Sequence, residues 1–120
     1  MNKPNKNPNR IEKMNALLQQ IVGKAIEPYL ENEPGLATVS RAECSRDLKW
    51  AKIWVSIIGG NDDKILKIIT ANIYEIQGQV NRSVDLHSGP RLQFFLDTSP
   101  RYAEHINKLI DQLHQTNSNE

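Results

Sequence analysis

The chain has 120 residues, 38% hydrophobic and 24% charged, enough for one domain with a core and too few for two. A net charge of +1 makes no demand for an acidic partner, and a lone cysteine, Cys44, excludes an internal disulfide and any CxxC redox or metal pair. No apolar run approaches the roughly 18 residues of a membrane helix, and the Asn, Lys and Pro of the first ten residues are not a signal sequence, so a cytoplasmic location without membrane contact is expected.

In chain order, "MNKPNKNPNR" has the composition of a disordered basic arm over residues 1–9, with Lys3, Lys6 and Arg10 as an electrostatic tether. Asn9 followed by Glu12 reads as a capping box that opens a helix. Ile11, Met14, Leu18, Ile21, Ala25 and Tyr29 then recur at helical spacing, and Pro28 ends the run near Glu27. "ENEPG" is a turn. Leu36–Cys44 reads as a strand, Ser45–Lys49 as a polar turn and Trp50–Ile58 as a second strand, together an antiparallel hairpin.

The second strand alternates. Ala51, Ile53, Val55 and Ile57 form an apolar row; Trp50, Lys52 and Trp54 form the other. That second row reads either as a stacking platform for nucleic-acid bases or as the underside of a covering helix, with Trp54 the core residue and Trp50 the surface one.

"GGNDD" offers Asn61 or Asp62 as the cap of a long helical pattern, in which Ile65, Ile69, Ile73, Ile76, Val80 and Val84 share one face. Gly78 and the pair Asn81 and Arg82 interrupt it. One helix of about 22 residues would run about 33 Å and outrun the sheet, so a bend between Asn72 and Gly78 is expected. Gly89 and Pro90 break the pattern, Arg91 to Leu96 forms a third strand, and Ser99 and Pro100 open a last helix with Tyr102, Ile106, Leu109 and Leu113 on one face. Residues 114–120 fray as a disordered tail.

This order, α-β-β-α-α-β-α, is an α+β layout. The helical crossover between the second and third strands makes those two parallel, so the three-stranded sheet is mixed. "TVSRAECSRDLKWAKIWVS", Thr38 to Ser56, and "GPRLQFFLDTSP" resemble the ribosome-binding factor A family, over about Arg10 to Leu113. The resemblance implies a single type II KH-like domain over residues 10–113. It also implies a non-catalytic maturation factor, important in the cold, that binds small ribosomal subunit rRNA alongside small-subunit ribosomal proteins.

That family carries an Ala-x-Gly kink between its middle helices. Counting back from Pro90 with the family's spacing lands on Asn72, Ile73 and Tyr74, which do not match, while Gly78 is the only glycine of the helical run. A displaced kink would leave Gln77, Gly78 and Arg82 on the exposed side as the RNA-contact remnant. Arg46, Lys49 and Lys52, with Arg91 on the neighbouring strand, form a candidate basic edge for a phosphate backbone. Other residues carry less: Asp47 is a turn-former, Cys44 a small core residue, and His87, His105 and His114 fit no zinc spacing. No nucleophile elbow, phosphate loop or carboxylate pair stands out, so no enzyme activity, cofactor or metal is expected, and a monomer is. The alternative is a non-catalytic protein-interaction module on the same KH-like scaffold, using the sheet face or the last helix.

Overall fold

The computed structural model describes residues 6–84 and 89–99. Its elements are α1 (Lys6–Ile26), a 3-10 turn (Glu27–Leu30), β1 (Leu36–Cys44), β2 (Trp50–Ile58), α2 (Asp62–Ala71), α3 (Ile73–Ser83) and β3 (Arg91–Leu96). The sheet order is β1-β2-β3, with β1 and β2 antiparallel and β2 and β3 parallel, which is the KH-like arrangement. The expected last helix, its stripe from Tyr102 to Leu113 and the three histidines lie outside the described residues.

Alternation along β2 divides the sheet into two faces. Ala51, Ile53, Val55 and Ile57 are buried against Leu18, Val22, Ala25 and Ile26 of α1, Ile65 and Ile69 of α2, and Ile76 and Val80 of α3. Each Val, Leu or Ile among them contributes about 1.5–3 kcal/mol of burial, so this one face holds most of the fold's cohesion. The other face keeps Trp50 and Lys52 exposed and Trp54 half-buried.

Two expectations are corrected here. α1 starts at Lys6, ahead of the Asn9 capping box, because Pro8 falls in the first turn, where a helix has no use for the missing N–H. The bend expected between Asn72 and Gly78 is found at the Asn72 end of that range, where the family's spacing lands; what is corrected is the displaced kink, since Gly78 lies inside α3. Asn72 needs no glycine: at φ −109° and ψ 16° it leaves the helical region, and its Nδ2 donates to the Ile68 carbonyl at 2.8 Å, which satisfies a C-terminal acceptor of α2. Asn61, not Asp62, caps α2, its Oδ1 accepting from the Lys64 N–H at 3.0 Å.

Outside the core, α1 also reaches the free edge of β1. Gln19 Nε2 donates to the Val39 carbonyl at 3.1 Å and the Ser40 carbonyl at 3.4 Å, and Asn15 Oδ1 accepts from the Cys44 N–H at 2.7 Å. Ser40 itself is the extra residue of a β-bulge, since Val39 pairs with Val55 and Arg41 with Trp54.

Candidate nucleic-acid interface

The turn Ser45–Lys49 is held by its own polar groups. Asp47 Oδ1 accepts from Ser45 Oγ at 2.6 Å and from the Lys49 N–H at 3.1 Å, while the Trp50 N–H donates to Ser45 Oγ at 3.1 Å. The Ser45 hydroxyl and the Lys49 amide hold the Asp47 carboxyl below its ordinary pKa. Leu48 takes a left-handed conformation, φ 62°, to close the loop. This geometry fixes where Lys49 and Trp50 emerge, and it gives Asp47 the turn-forming role read from its sequence context.

Across the sheet, β3 starts beside that turn. The Arg91 N–H donates to the Lys49 carbonyl at 2.8 Å, and in the parallel register Trp50 pairs with Arg91, Lys52 with Gln93 and Trp54 with Phe95. The start of β3 is clamped from α3: Gln77 Nε2 donates to the Pro90 carbonyl at 2.8 Å and Gln77 Oε1 accepts from the Leu92 N–H at 3.0 Å. Asn81 Oδ1 accepts from Gln77 Nε2 at 3.1 Å and from the Gly89 N–H at 2.8 Å. Between turn, helix and strand lies an open cleft of about 470 Å³ with Leu48, Lys49, Trp50, Gln77, Asn81 and Arg91 in its walls.

The face divides again along its length. At one end Trp54 stacks on Phe95, ring centroids 5.6 Å apart, and Arg41 lies over the Trp54 ring at 4.1 Å while pairing with Glu43 at 3.4 Å. These groups satisfy one another. At the other end Trp50 is 44% exposed, with the Arg91 guanidinium 5.6 Å from its ring centroid, at the loose end of the cation–π range.

Of the residues singled out from sequence, the structure brings Lys49, Gln77 and Arg91 to one cleft. Arg46 is exposed on the turn and Lys52 further along the sheet face, neither in the cleft walls. Gln77 is corrected: it is half-buried, and its amide is spent on β3, Pro90 and Asn81, so it positions the site instead of facing solvent. Gly78 is a half-buried position within α3, and the exposed Arg82 lies back toward it, its Nη1 3.4 Å from where a Cβ would stand. Sequence reasoning passed over Asn81, whose role depends on the return of β3, and Tyr74, 90% exposed two residues past the break, which its position off the apolar stripe could have revealed.

Other chemistry is sparse. The Cys44 thiol is raised above its ordinary pKa, chiefly by burial, which disfavours the nucleophilic thiolate. The Ser40 hydroxyl, 2.5 Å from Asp97 Oδ2, and the Ser99 N–H hold the Asp97 carboxyl low. Among the described residues no three His, Cys, Asp or Glu side chains converge on a point that could hold a metal, and no helix is long and apolar enough to cross a membrane.

Comparison with known proteins gives a consistent result. The family model of ribosome-binding factor A matches residues 10–110. The ribosome-binding factor A of Akkermansia muciniphila is 31% identical over 105 residues, covering 87% of this chain and 84% of that protein. That of Opitutus terrae is 26% identical over 107 residues, 88% of each. Among solved structures, crystalline ribosome-binding factor A from Thermus thermophilus superposes with a TM-score of 0.62 at 20% identity, over 72% of this chain and 93% of that one. A homology model of the Thermus thermophilus factor, as fitted into the cryo-EM map of a 30S complex, gives 0.61 at 19% identity, over 70% and 91%. At these identities the structural likeness speaks for the fold.

Proposed function

The chain belongs to the ribosome-binding factor A family, and from that premise we propose that it is a maturation factor of the small ribosomal subunit, binding the subunit's rRNA and assisting its processing and folding in the cytoplasm. The observation that carries this reading is the family match across residues 10–110, which includes every strand of the sheet and both helices of the crossover. The exposed cations agree with it: Arg46, Lys49, Lys52 and Arg91 on the hairpin side, and Arg82 beside Gly78 on α3, are the phosphate contacts.

The mechanism is binding without chemistry. A monomer that holds one fold of the rRNA tenfold more tightly than another shifts that equilibrium by about 1.4 kcal/mol, and no bond is made or broken by the protein. The test is sedimentation of the tagged protein with cell extract. It travels with free small subunits and not with complete ribosomes, and the association weakens steeply as salt rises, as contacts to several phosphates require. A deletion strain grown in the cold accumulates unprocessed small-subunit rRNA; normal precursor levels there would overturn the reading. Binding indifferent to salt would mark a mostly apolar protein interface instead.

A further inference from the structure

We propose that the cleft under the hairpin turn takes one unpaired nucleotide of single-stranded RNA, its base stacked on Trp50 and its phosphate held between Lys49 and Arg91. This inference rests on the rRNA-binding reading and deepens it. Three observations carry it. The cleft is concave and of about 470 Å³, within the range of small-ligand sites, roughly 300–1,000 Å³. A large flat ring, Trp50, lines it 44% exposed and without an aromatic neighbour, the Arg91 guanidinium 5.6 Å from its centroid, whereas Trp54 and the 39% exposed Phe95 stack on each other and Arg41 lies over Trp54. Two cations, Lys49 and Arg91, share its walls; among the described residues neither forms an ion pair, as Arg41 and Lys64 do, and Asp47 acts on Lys49 only through longer-range charge.

The floor sets the specificity. Gln77 offers both ends of its amide to the backbone of Pro90 and Leu92, and Asn81 Oδ1 is spent on Gly89 and Gln77. The Gln77 amide and the Asn81 Oδ1, so committed, do not read the edge of a base, which leaves the Asn81 Nδ2 as the one amide end of the two without a hydrogen bond among the described residues. Recognition then rests first on stacking and phosphate charge, which any base satisfies, so the cleft selects an unpaired nucleotide ahead of its identity. The Gln77 bonds to Pro90 and Leu92 hold the residues on either side of Arg91, and the Arg91 N–H, by donating to the Lys49 carbonyl, fixes Arg91 relative to Lys49.

The experiment titrates the full chain with a five-nucleotide oligoadenylate, an oligouridylate of the same length and the abasic counterpart. The expected result is that Trp50→Ala weakens binding of both natural oligomers roughly ten- to a hundredfold, that Trp50→Phe restores most of the loss, and that the abasic oligomer binds the parent as weakly as the natural ones bind Trp50→Ala. Lys49→Gln and Arg91→Gln each lower the slope of log affinity against log salt by about one unit or slightly less. Equal affinity of parent and Trp50→Ala for the oligomers, no detectable binding by the parent, or a Trp50→Ala protein that changes in melting temperature but not in RNA affinity, overturns the proposal. Sedimentation with small subunits is run on the same proteins. A parent that sediments with them while Trp50 proves irrelevant removes only the cleft; a parent that fails to sediment removes the wider reading.

Discussion

Trp54 on β2 stacks against Phe95 on β3, centroids 5.6 Å apart and planes 29° from parallel, so an aromatic pair ties the parallel strands on the face that no described helix covers. Trp50, two positions earlier on the same row, makes no such pair. Trp54→Ala is therefore expected to cost about 2–3 kcal/mol, less than the 3–5 of a fully buried tryptophan, and Trp50→Ala under about 1. Urea unfolding of the two single variants checks the difference; equal losses would show that the face is not divided.

Gln77 is expected to matter for stability more than its polar character suggests. Truncation to alanine leaves the Leu92 N–H and the Pro90 carbonyl without their partner near the core, at about 1–3 kcal/mol. Amide exchange at Leu92 supplies a local readout. Faster exchange there, with the α1 amides unchanged, is the expected pattern, and unaltered protection of Leu92 would refute the clamp.

Asp47 and Asp97 both titrate below the ordinary carboxylate value in the folded chain, each held first by a serine hydroxyl and then by backbone N–H groups. A folded pKa below the unfolded one means stability that is fully present above about pH 4 and is lost as pH falls through the depressed folded value. Acid unfolding of Asp97→Asn, or of Ser40→Ala, which removes the hydroxyl donor, is expected to show a shallower loss below that pH than the parent. A pH profile identical to the parent's would contradict the assignment.

Two glycines are expected to respond in opposite directions. A Cβ on Gly35, at φ +93°, would stand 2.5 Å from the Gly60 backbone nitrogen, so Gly35→Ala should cost about 3 kcal/mol or more. Gly78 lies in the interior of α3 and a Cβ there meets only the flexible end of Arg82, so Gly78→Ala should stabilise by about 0.5–1 kcal/mol. Thermal melts of the two variants decide both.

The strands were legible because period-two alternation, β-branched residues and flanking turn chemistry all agree; the three expected ranges match β1, β2 and β3 residue for residue. The helix break was legible as a need, since the run was too long for the sheet, and as a range from Asn72 to Gly78, but not in its means. Its means is the Asn72 side chain folding onto the Ile68 carbonyl, a local contact that a search for glycine overlooks. Lys49 and Arg91 were readable as cations on adjacent strands. Gln77 was not, because an amide's role is set by the backbone that comes within its reach, here a strand that returns 13 residues later at Pro90.

The two amides that α1 extends to β1 bear on what the protein avoids. Asn15 and Gln19 stand one helical turn apart and engage the Cys44 N–H and the carbonyls of Val39 and Ser40, groups a further strand would need. The bulge at Ser40 shifts the register of what remains. An arriving chain, whether a second copy or a nascent polypeptide, meets a ladder whose rungs are taken at the Cys44 end and in the middle, where the bulge also misaligns them. The hairpin is thereby shielded from runaway sheet growth, the usual hazard of an uncovered β-edge.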